Sequence, residues 1–183
     1  YQEFISQTKL IINQKIRSSD TYKSLRDGIL KRDFGIDDST FNIFDKNIDR
    51  LYNASFVINE TPERKNSILS LNFNISEFDE GDSRIESVIT QVSYVSPRSG
   101  ENIEWLRWLL YRGRSIINKS WKVYPKDNNG RSRMGIMITA YNKTFTFSVS
   151  STYSGKYGTN FVSEAIQDSI DEIKKILPVS KNE

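Results

Sequence analysis

Apolar positions along this chain change period several times, and each change marks an expected element. Over residues 4–16, Phe4, Ile5, Leu10, Ile11, Ile12 and Ile16 recur close to every 3.6 residues, which predicts a helix with one apolar face. Ser19 or Asp20 can cap a second helix holding Tyr22, Leu25, Ile29 and Leu30. Gly28 weakens that helix, and Gly35 ends it. Residues 36–52 read as a polar connection with a short helical tendency from Ile43 to Leu51. The period then drops toward two. Ala54–Asn59 and Ile68–Ile75 read as strands joined by a turn at Thr61–Asn66, and Ile85–Val95 as a further strand.

The second half opens with a helical pattern over Ile103–Ile117, interrupted by Gly113. Trp121–Tyr124 is a short strand and Pro125–Arg133 a loop. Met134–Ala140 and Thr144–Val149 are expected to form a hairpin across Tyr141–Asn142–Lys143. Val162, Ile166, Ile170, Ile173 and Leu177 define the clearest helix, with Thr159 or Asn160 as its cap and Pro178 as its stop. Together these elements predict a single α+β domain over 1–183. N-terminal helices fill 1–35, strands with one helix near 103–117 fill 54–150, and a closing helix spans 160–177. The helices are expected to pack on one face of an antiparallel sheet. No βαβ alternation is present, which argues against a doubly wound nucleotide-binding fold.

Composition narrows the chemistry. The 183 residues contain no Cys and no His. Disulfides, thiolate nucleophiles, Cys-based zinc sites, and Ser-His-Asp and Cys-His catalysis are therefore excluded. Carboxylate, Lys or Tyr chemistry and Mg²⁺ held by carboxylates survive this filter. No apolar run is long enough to cross a membrane as a helix, and the N-terminus lacks the layout of a signal peptide. Tyr1 is not a start residue, so the numbering is expected to begin inside a longer chain or on a processed product. Five Asn-x-Ser/Thr sequons, at Asn53, Asn59, Asn74, Asn118 and Asn142, are read as a product of an Asn- and Ser-rich composition.

Charge is unevenly spread. Nine cations against three acids give residues 98–133 a net charge of +6, while the whole chain carries +3. Such asymmetry builds one positive face. Arg107, Arg112, Arg114, Arg131 and Arg133 dominate it, as candidates for a protein interface or for DNA. Trp105, Trp108 and Trp121 lie among them, as anchors of the core or of a subunit contact; stacking on nucleic acid is the alternative. Gly130–Gly135 has neither the spacing nor the strand-to-helix context of a phosphate loop. Tyr153–Gly158 enters a helix, and a turn that positions that helix explains it better than an anion site. The acidic groups Asp37-Asp38 and Glu77, Asp79, Glu80, Asp82 read as solvated, since the second lacks the calcium-loop pattern. Glu86, Glu104 and Lys122 can be forced into a metal-dependent nuclease role, but a chain with 23 acids offers many such sets.

The stretch 105–166 resembles virion proteins of tailed bacteriophages, in particular neck, head–tail joining and tail-completion proteins. The likeness lies in Glu104-Trp105-Leu106-Arg107-Trp108-Leu109-Leu110 ending near Gly113, and in Gly130-Arg131-Ser132-Arg133 before Gly135-Ile136-Met137. Gly158-Thr159-Asn160-Phe161 then leads into the last helix. The resemblance implies a non-enzymatic protein of the virion, made in the host cytoplasm, that forms a homo-oligomeric ring at the neck or tail terminus. It implies contacts with neighbouring virion proteins, DNA passing through a channel, and no cofactor, metal or membrane. The alternative is a nucleic-acid-binding protein that uses the same basic aromatic face.

Overall fold

The computed structural model describes residues 2–53, 56–62, 67–73, 81–95, 102–112, 117–119, 121–124, 136–139, 145–147, 152–153, 155 and 159–177, with side chains described over the helices and their caps. Eight helices are described: α1 (Gln2–Ser18), α2 (Asp20–Asp27), α3 (Ile29–Phe34), α4 (Asp38–Lys46), α5 (Ile48–Asn53), α6 (Ser83–Val92), α7 (Trp105–Leu110) and α8 (Phe161–Ile176). The described core is helical throughout. This overturns the expected α+β architecture with helices on an antiparallel sheet. Among the described residues, the strands pair only as separate two-stranded ladders, and none forms a sheet that supports the helices.

The helix boundaries follow from local chemistry. Ser19 caps α2 by accepting the Tyr22 N–H, and Asp37 caps α4 by accepting the Thr40 N–H at 2.7 Å. Gly28 does more than weaken one helix: it separates α2 from α3. A Cβ at Gly28 would collide with Ser24, whose own Oγ accepts the Leu30 N–H at 3.1 Å. Gly35 ends α3 in the left-handed region at φ 65°, where a side chain would be strained.

Two segments are more helical than their patterns predict. Residues 36–52 form α4 and α5, which bury Phe41, Phe44, Ile48, Leu51 and Tyr52. Residues 83–92 form α6 in place of the expected strand. Ile85, Val88, Ile89 and Val92 recur at i, i+3, i+4 and i+7 and are all buried. The helix expected over Ile103–Ile117 stops at Leu110, and Ile117 begins a strand.

Helix α1 packs most extensively on α8, burying Phe4, Thr8, Ile12 and Ile16. Phe44 of α4 sits where α2, α7 and α8 meet it. Its ring centroid lies 6.2 Å from Tyr22, 6.0 Å from Phe41, 5.6 Å from Trp105 and 6.4 Å from Phe161, in tilted or edge-on contacts. One fully buried ring thus joins α2, α4, α7 and α8.

The strands comprise β1 (Phe56–Pro62) with β2 (Ser67–Phe73), and β3 (Tyr94–Val95) with β4 (Asn102–Ile103), each antiparallel. β5 (Ile117–Lys119), β6 (Trp121–Tyr124), β7 (Ile136–Thr139) and β8 (Phe145–Phe147) follow. The expected hairpin between the last two is replaced by a nested arrangement. β6 pairs with β7 and β5 pairs with β8, both antiparallel.

Phe44→Ala should cost about 3–5 kcal/mol, the usual range for removing a buried aromatic ring. Urea unfolding followed by far-UV circular dichroism would measure it. A loss below about 1 kcal/mol would show that the ring junction does not organise the helices.

Candidate functional site

Of the five candidate arginines, Arg107 and Arg112 lie within the described residues; Arg114, Arg131 and Arg133 lie outside them. Arg107 projects from α7 and is already committed within the chain. Its guanidinium makes a two-pronged contact with Glu86 of α6, with Nη1–Oε1 at 2.8 Å and Nη2–Oε2 at 2.5 Å. Its Nε donates to Glu104 at 2.6 Å. The side chain is only 15% exposed. Glu86, chiefly, and Glu104 hold the guanidinium above its ordinary range, against the opposing cost of burial. Arg107 is therefore an internal tie between α6 and α7. Arg112 follows α7 and is exposed.

The tryptophans divide in the same way. Trp105 is 1% exposed, and its indole N–H donates to the Val92 carbonyl at 2.6 Å. Its face is taken up by Phe34 at 6.2 Å and Phe44 at 5.6 Å. It is a core anchor with no surface left for stacking. Trp108 is half-buried against Phe34, 6.2 Å away. Trp121 lies in β6, and its side chain is outside the described residues.

The acidic candidates have structural work. Glu86 and Glu104, set aside as nuclease ligands, both hold Arg107, and the Lys122 side chain lies outside the described residues. Asp37 is the α4 cap, and the Thr40 N–H holds its carboxyl below the ordinary range. Asp38 pairs with Lys31. Asp82 caps α6 through the Arg84 N–H and grips the Arg84 guanidinium, which depresses its own titration. Arg84 also donates to the Asn53 carbonyl at 2.9 Å, tying the end of α5 to the start of α6. Glu77, Asp79 and Glu80 lie outside the described residues. Among the described residues, no group of three or more carboxylates is placed to hold a metal.

The loop before α8 also has a positioning role. Asn160 is 1% exposed and accepts the N–H groups of Val162 and Ser163, while Ser163 Oγ accepts the Asn160 N–H. This reciprocal cap fills the helix N-terminus with the protein's own groups. The Asn160 amide also donates to the Leu110 carbonyl at 3.3 Å, closing the end of α7. Gly155 packs against the Leu109 carbonyl so closely that any Cβ would overlap it.

Sequence reasoning missed one surface feature. A polar groove of about 350 Å³ lies between the end of α1, the start of α2 and the first turns of α8. Lys15, Ser18, Ser19, Asp20, Thr21, Thr152, Phe161, Glu164, Ala165 and Asp168 line it. Lys15 is bridged to Glu172 at 2.6 Å, whereas Asp20, Glu164 and Asp168 form no ion pair among the described residues. Seeing the groove required knowing that α1 and α8 are neighbours, and no local pattern carries that.

Comparison with family models, curated proteins and solved structures finds no significant match to this chain.

Arg107→Ala should lower stability by about 1–2 kcal/mol, because Glu86 and Glu104 lose a shared, largely buried partner. Arg107→Lys should recover part of that. Chemical denaturation of the three proteins checks this, and an unchanged midpoint for the alanine variant would return Arg107 to the list of free surface cations.

Tyr52 gives a pH signature. Burial pushes its phenol up to about 12, with the Asp49 charge adding to the rise. The folded chain binds this proton more tightly than the unfolded one, so its stabilising contribution is complete below pH 10 and is lost as pH rises from 10 toward 12. Tyr22 shifts the same way, through burial first and its 2.7 Å bond to Asp45 second. Alkaline titration at the tyrosinate absorption band should show these two phenols ionising late and together with unfolding. Ordinary titration of all nine tyrosines would contradict it.

Proposed function

We propose that this chain is a non-enzymatic structural subunit of a tailed-bacteriophage virion, placed at the neck or tail terminus and working as a homo-oligomeric ring. The observation that carries this reading is the order of parts over 105–166. A Trp-rich segment, here α7, leads through short paired strands and a basic, glycine-containing stretch to a capped final helix. The reading rests on that order and needs no central sheet. The engagement of Glu86, Glu104, Asp37 and Asp82 in caps and ion pairs supports it, since these carboxylates are occupied in holding helices together.

The second reading, nucleic-acid binding through a basic aromatic face, loses two of its residues. Trp105 is core, and Arg107 is neutralised by two glutamates. What remains to it is the charge of the segment after α7. Phosphate binding falls steeply with salt, whereas a ring held by an apolar contact persists.

Mass spectrometry and antibody labelling of purified phage particles test the proposal. Label at the head–tail junction or tail end is the expected outcome. Absence of the chain from particles would overturn it.

A further inference from the structure

We draw no further inference here: the strongest candidate, the polar groove between α1, α2 and α8, carries nothing, because Lys15 stands within it under the charge of Asp168, Asp20 and Glu164 are the first-turn acids of their own helices, and no second feature of the groove points to a ligand.

Discussion

The aromatic junction at Phe44 is the constraint on which the rest of the described structure depends. A buried ring gains little from face-to-face stacking and more from tilted or edge-on neighbours, so each partner must approach from a definite direction. Phe44 has four such partners, on α2, α4, α7 and α8. Among them, Trp105 carries a polar N–H into the core, and that group is satisfied by the carbonyl of Val92 at the end of α6. The indole therefore fixes two things at once: the rotation of α7 against the ring cluster and the position of the end of α6. With α7 so placed, its last carbonyls become the landing point for Gly155 and Asn160, and Asn160 in turn starts α8. One packing decision propagates through hydrogen bonds to the final helix.

The electrostatics of the helical body follow the same logic of local closure. Arg107, Arg84, Arg17 and Lys15 each reach a carboxylate on or beside another helix, or a carbonyl that ends one. Exposed pairs of this kind contribute little individually, but Arg107 is largely buried and answers two glutamates, so removing it strands both. The contrast is with residues 113–151, where cations outnumber acids seven to one.

How much of this was legible varies with how local the signal is. The α1 and α8 stripes, the Ser19 and Asn160 caps and the Gly35 stop were readable because each rests on neighbours within one or two turns. Residues 85–95 were read at period two through Val88, Thr90, Val92 and Tyr94. Ile85, Val88, Ile89 and Val92 carried the period of 3.6 that the structure obeys. Both patterns share Val88 and Val92, and burial of Ile85 and Ile89 is what separates them. Residues 36–52 looked polar because α4 and α5 expose Asp38, Ser39, Asn42, Lys46, Asp49 and Arg50, which mask a narrow buried stripe of large rings. Of the strands after α7, β6, β7 and β8 were placed nearly correctly and β5 was not, and the pairing of β7 with β8 was wrong. A three-residue turn at 141–143 favours joining β7 to β8 locally, whereas the observed nesting depends on pairing across a longer span that no local residue announces. The Arg107–Glu86 tie was hidden for a related reason: with residues 85–95 read as a strand, Glu86 had no defined relation to a helix 21 residues away.

The correction of the fold also sharpens what the functional reading depends on. An antiparallel sheet would have made the basic residues one face of a rigid layer, with arginines before and after Gly113 acting together. The helical body takes Arg107 into its own ion pairs instead. Arg107 belongs with Glu86 and Glu104, and the excess charge begins only after the body ends at the α7 carbonyls.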